Sequence, residues 1–299
     1  AMSFANSYAA TGSITLGATK ALTGKTLTAG QFTFDLYAGQ SATGTAKESK
    51  TNAADGKVTF TTLTYDIDDV ANSPFYYTVK EQIPAGATDN KDGTYTKDGY
   101  TYDGHSETIK VEVSDNGDGT LTVTADKTST AVKFTNKYEA SGSITLGATK
   151  VLTGKTLTAG QFTFDLYEGQ SATGTAKESK TNAADGKVTF TTLTYDIDDV
   201  ANSPFYYTVK EQIPAGATDN KDGTYTKDGY TYDGHSETIK VEVSDNGDGT
   251  LTVTADKAST AVKFTNNYEA TGSITLGATK ALTGKTLTDG MFKFQLKDK

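Results

Sequence analysis

Between Pro74 and Gln82 the chain reads PFYYTVKEQ, with large apolar residues on every second position. Successive side chains of a strand point to opposite faces, so Phe75, Tyr77, Val79 and Glu81 share one side. Three of these four belong in a core, which predicts a half-buried strand over 74–82 whose inner face ends in a carboxylate. An unpaired carboxylate is costly to bury, so something must answer Glu81. Two other apolar rows end in the same way. Ile14, Leu16, Ala18 and Lys20 lie on one face of a strand predicted over 13–20, and Val132, Phe134 and Asn136 on one face of another over 131–137. Lys110 instead alternates with Ile109 and Val111, and Lys133 with Val132 and Phe134, so both of those lysines point to water. The pattern sets apart one Lys, one Glu and one Asn.

Further period-two rows predict strands near 31–37, 57–64, 106–114 and 119–125, with a small hairpin around 94–102. Ala-Asp-Gly at 54–56, Lys-Asp-Gly at 97–99 and Asn-Gly-Asp-Gly at 116–119 are hairpin-turn sequences between them. About seven strands, and no convincing helix, predict an all-β, immunoglobulin-like β-sandwich. The whole pattern then repeats. Residues 10–139 recur as 140–269 with five changes: Thr11 to Ser141, Ala21 to Val151, Ala38 to Glu168, Thr128 to Ala258 and Lys137 to Asn267. This is a domain-sized period and not that of a solenoid. A third copy starts at Ala270, and FANSYA at Phe4–Ala9 matches FTNKYEA at Phe134–Ala140 less one residue.

The expected organisation has four parts. Residues 1–9 are the last strand of a preceding copy, with the leading Ala-Met an expression scar; 10–139 and 140–269 are two sandwich domains; and 270–299 is the truncated start of another. This reads as an excerpt from a longer tandem array. The connection from Asn136 to Lys150 has no Pro/Gly-rich linker, so successive domains should be closely coupled end to end, as a rod.

Composition narrows the function classes. A net charge of −9 disfavours nucleic acid and anionic membrane surfaces as partners. There is no cysteine, hence no disulfide and no thiolate metal site. No apolar run approaches the roughly 18 residues of a membrane span, and the first residues do not read as a signal peptide. No nucleophile with a paired base and no phosphate loop appears, so neither a turnover enzyme nor a cofactor is expected.

The remaining motifs have ordinary readings. DNGDGT at 115–120 fails the EF-hand order at Gly117 and reads as a hairpin turn; no metal site is expected there. The acidic run Asp66, Asp68, Asp69 reads as a solvated loop, and His105 and His235 as single surface histidines. Tyr95, Tyr100 and Tyr102 suit cross-strand packing in a small hairpin better than an aromatic platform for a sugar. The N-glycosylation pattern is absent, because Asn72-Ser73 is followed by Pro74.

Four motifs in order carry a resemblance: K-x-L-x-G-x-x-L at Lys20–Leu27, F-x-F-x-L at Phe32–Leu36, YTVKEQIPAG at Tyr77–Gly86, and FTNKY at Phe134–Tyr138. In this order the chain resembles the CnaB-type isopeptide-forming domains of Gram-positive pilins and surface adhesins, in particular the streptococcal pilin-repeat group. The resemblance covers both full units and both end fragments. It implies an amide joining Lys20 to Asn136 and Lys150 to Asn266, promoted by Glu81 and Glu211, in a single self-modifying event per domain. It also implies a stalk at the bacterial cell wall, whose partners are neighbouring repeats and whose host ligand is bound by another region of the parent protein. A recognisable pilin lysine motif and sorting signal are lacking, which places an adhesin stalk ahead of a pilus backbone. The rival reading is a repeated carbohydrate- or matrix-binding module acting by avidity. Asn6 and Lys280 are left as half-sites. A competing partition would instead join Asn6 to Lys150 and Asn136 to Lys280.

Overall fold

The computed structural model describes residues 2–298. Each repeat folds into thirteen strands. In the first they are β1 (Thr11–Ile14), β2 (Gly17–Thr23), β3 (Thr33–Ala38), β4 (Glu48–Thr51), β5 (Lys57–Thr59), β6 (Leu63–Asp66), β7 (Phe75–Glu81), β8 (Thr88–Asp89), β9 (Thr94–Lys97), β10 (Tyr100–Asp103), β11 (Ser106–Asp115), β12 (Leu121–Ala125) and β13 (Lys133–Tyr138). One sheet runs β5-β2-β13-β10-β9-β8 and the other β12-β11-β7-β3-β4, with β1 and β6 paired apart from both. The second repeat has the same strand pairings from Ser141 to Tyr268.

The two sheets face one another across a core of inward rows, including Leu16, Ala18, Phe34, Leu36, Val79, Ile109, Val111, Val132 and Phe134. This is the two-layer arrangement that alternating strands can bury. The first long strand and the last, β2 and β13, are neighbours and run parallel, with Lys20 opposite Phe134 and Asn136 opposite Leu22. A parallel pair at the two ends of the chain path makes the repeat's entrance and exit lie at opposite poles, which is what stringing domains end to end requires.

The fold departs from the sequence expectation in several places. The predicted strand over 13–20 is interrupted at Thr15 and Leu16, yet the parity survives, with Leu16, Ala18 and Lys20 all buried. The predicted 57–64 strand divides into β5 and β6, which join different sheets. β4 was not foreseen, because its polar sequence ESKT sits half-exposed on an edge. Residues 67–72 form a 3₁₀ helix where none was expected. Asp66 caps it, accepting from the backbone of Asp68, while Asp69 accepts from the backbone N–H of Asp66. The acidic run is therefore a capping box rather than a loop.

The end fragments also differ. Residues 2–9 form no strand despite their likeness to β13, and residues 270–298 form none although 271–274 and 277–283 repeat β1 and β2 of the first repeat unchanged. In each complete repeat β2 is held between β5 and β13. Without such neighbours the same residues have no ladder to join and leave Ile274, Leu276 and Phe294 exposed.

Candidate functional site

The three polar residues that close the apolar rows converge in the core of each repeat. Lys20 on β2 is 2% exposed, Glu81 on β7 1% and Asn136 on β13 0%. Lys20 Nζ lies 2.6 Å from Glu81 Oε2, and Asn136 Nδ2 donates to Glu81 Oε1 at 2.6 Å. One carboxylate thus spans an amine and a carboxamide arriving from the opposite sheet. The second repeat matches, with Lys150 at 2.5 Å and Asn266 at 2.6 Å from Glu211.

Local structure aims each group. Lys20 donates its backbone N–H to the carbonyl of Gly56 in the β-turn before β5. Gly56 has φ of +86°, and a Cβ there would stand 2.2 Å from the Lys20 carbonyl oxygen. Only glycine allows that approach. The Phe32 and Phe34 rings cover the amine at 4.5 and 5.9 Å, and Phe34 is itself the register partner of Glu81.

A contact invisible in the sequence completes the site. The backbone N–H of Asp103, at the end of β10, donates to Asn136 Oδ1 at 2.8 Å. A backbone N–H can only donate, so this contact identifies the carbonyl side of the carboxamide and leaves Nδ2 facing Glu81. Asp103 is fixed in turn. Its carboxylate accepts from the backbone N–H of Thr135 and binds the His105 ring, which stacks on Phe134 at 4.6 Å between centroids. His105 is therefore half-buried and part of the scaffold rather than a plain surface residue, and His235 repeats the arrangement. Burial works to raise the Asp103 pKa, but the His105 and backbone hydrogen bonds outweigh it and hold the carboxyl below its ordinary value.

Burial governs the ionisation of the Lys20–Glu81 pair. Removal from water lowers the Lys20 pKa and raises that of Glu81, each opposed by the attraction of the other. Lys150 and Glu211 shift the same way. Both shifts favour the neutral pair, a free amine beside a carboxylic acid.

The other candidates fall elsewhere. Tyr100 and Tyr102 pack edge-on against Phe32, and Tyr100 lies 4.6 Å from the Tyr138 ring, so these rings are spent on packing. DNGDGT forms the β11–β12 hairpin, closed from the backbone N–H of Asn116 to the carbonyl of Thr120. Asn6 and Lys280 are exposed and lie outside both buried triads. Among the described residues no cluster of His, Cys, Asp or Glu is placed to hold a metal, and no helix is long and apolar enough to cross a membrane.

A family model described as FctA, Spy0128-like isopeptide containing domain, matches residues 16–139 and again 146–269. No curated protein matches the chain. Among solved structures, the Bacillus anthracis TIE protein aligns at 19% identity over 85% of this chain and 34% of its own, with a TM-score of 0.22. The pilus adhesin SpaC from Lactobacillus rhamnosus GG, in an open conformation, aligns at 16% identity over 87% of this chain and 32% of its own, with a TM-score of 0.22. The chain thus spans about a third of the length of either.

Proposed function

The chain belongs to the family of Spy0128-like isopeptide-containing domains, and from that premise we propose that it is a stalk segment of a bacterial surface adhesin or pilus in which each repeat cross-links itself, Lys20 to Asn136 and Lys150 to Asn266. Residues 10–139 and 140–269 are the two load-bearing units. The observation that carries this reading is the bridging of both reacting groups by one buried carboxyl.

The chemistry follows from the contacts. In the neutral pair the Lys20 amine carries a lone pair and attacks Asn136 Cγ, and the carbonyl electrons move onto Oδ1, where the Asp103 N–H already donates. Glu81 takes a proton from the attacking nitrogen and delivers one to Nδ2, which departs as ammonia when the tetrahedral centre collapses. One C–N bond forms and one breaks, with no oxidant or cofactor. In this scheme the Asp103 N–H polarises the carbonyl, and Glu81 carries the proton transfers.

The product ties β2 to β13 directly. On the loop-entropy scaling of a cross-link closing most of a domain, this is worth on the order of 4 to 5 kcal/mol. Its mechanical effect is larger, because tension entering on β2 leaves through β13 without loading residues 21–135. The parallel placement of these two strands as neighbours supports that path. Surface location and association with other subunits of a pilus or adhesin accord with this role.

Single-molecule stretching tests it. The native chain is expected to show no unfolding extension from either repeat. Glu81→Ala, which removes the proton carrier but neither linked group, should release the extension of the first repeat alone. Equal extension from both repeats of the native chain would contradict the proposal.

A further inference from the structure

The end of the first repeat is buried in the second. Tyr138, the last residue of β13, is 0% exposed and belongs to the second repeat's hydrophobic core cluster, as does Ala140. Its hydroxyl donates to Asp245 Oδ1 at 2.5 Å and accepts from the backbone N–H of Gly249 at 3.4 Å. Both partners lie in the DNGDGT hairpin of the second repeat. Lys25 of the first repeat reaches the same carboxylate, 2.8 Å from Asp245 Oδ2, and lies over the Tyr138 ring at 4.4 Å. The backbones also touch: a Cβ on Gly99 would fall 2.5 Å from the Gly249 Cα, and one on Gly249 2.8 Å from the Gly99 Cα.

The same plug occurs a second time with almost nothing behind it. Tyr8 donates to Asp115 Oδ1 at 2.9 Å and accepts from the Gly119 N–H at 3.1 Å, the matching atoms of the first repeat's hairpin. Residues 2–9 have no strand, so the tyrosine itself, and not a neighbouring domain, finds the hairpin. At the end of the second repeat Tyr268, with no hairpin across it, is only half-buried, and Lys155 turns instead to the Tyr230 hydroxyl at 3.0 Å.

We propose that this tyrosine, lysine and aspartate form a head-to-tail joint that holds consecutive repeats in one fixed orientation, and that the partner for which the surface is built is another copy of the same repeat. The DNGDGT hairpin is then a socket, and the residues at its tip serve docking as well as the turn. Its two glycines have separate duties. Gly247 only turns the chain, in open space, whereas Gly249 must also admit the backbone of the preceding domain.

Because the chain has no cysteine, spin labels can be placed at will, and Thr124→Cys with Thr254→Cys puts one on an exposed strand position of each repeat. Pulsed electron-electron resonance should give a narrow distance distribution between them. Tyr138→Phe, which removes only the hydroxyl, and Gly249→Ala should each broaden it. Gly119→Ala is the control: it has the same left-handed φ of +88° as Gly249, but its Cβ meets only the Ala9 carbonyl oxygen, at 3.7 Å. It should leave the distribution narrow. Intact mass of each variant reports whether both repeats still fold and react. A distribution already broad in the parent chain, or one that Tyr138→Phe and Gly249→Ala leave unchanged, would overturn the joint.

Discussion

A buried Lys beside a buried Glu is held in place by what each can exchange with the other. Either ionic or neutral, the pair carries one proton, so the two forms interconvert without solvent. Desolvation lowers the lysine pKa and raises that of the acid, which sets the expected pH dependence of bond formation. At low pH both groups hold protons and the nucleophile is absent; as pH rises Lys20 gives up its proton and the rate climbs. It then falls at high pH as Glu81 ionises and no acid remains to serve the leaving nitrogen. The rate measured by intact mass, after refolding an unbonded precursor assembled by ligation in denaturant, should therefore be bell-shaped. A rate that keeps rising with pH would mean a plain amine acting without an acid. At this scale the sequence was legible wherever a polar side chain fell on the apolar face of its strand, as Lys20, Glu81 and Asn136 do. Asp103 was illegible, because the group that matters there is a backbone N–H, which every residue but proline carries.

Strands were legible by their alternation and much less so by their limits. The inward parity of Leu16, Ala18 and Lys20 follows from their own spacing, while the break before Gly17 depends on β1 leaving to pair with β6. Residues 270–298 make the same point, since a sequence that forms strands in two repeats forms none where its partners are missing. Glycine at the β4–β5 turn has a role that spacing alone does not reveal. Gly56→Ala would impose a left-handed φ, about 1 to 3 kcal/mol for a non-glycine residue, and in addition drive a Cβ against the Lys20 carbonyl oxygen. Gly86, with φ of +80° in open space, bears the first cost alone. Gly56→Ala is therefore expected to lower the thermal midpoint of the first repeat well beyond Gly86→Ala and to slow its cross-link, as read by calorimetry and mass. Equal effects of the two would remove Gly56 from the account of how Lys20 is placed.

At the scale of the whole chain, the close coupling expected from the missing linker takes the form of specific contacts, Tyr138 and Lys25 on Asp245. The DNGDGT hairpin was legible as a turn but not as a socket, since docking depends on a residue more than a hundred positions away. Two cross-linked repeats joined in this way would carry load from one pole to the other through β2, the new amide, β13 and Tyr138. Everything in that path rests on which residues are joined. Intact mass with tryptic mapping of the folded chain decides it most directly. The mass is expected to be short by two ammonia molecules, with one branched peptide joining Lys20 to Asn136 and another joining Lys150 to Asn266. An unmodified mass, or a branched peptide joining Asn6 to Lys150, would contradict it.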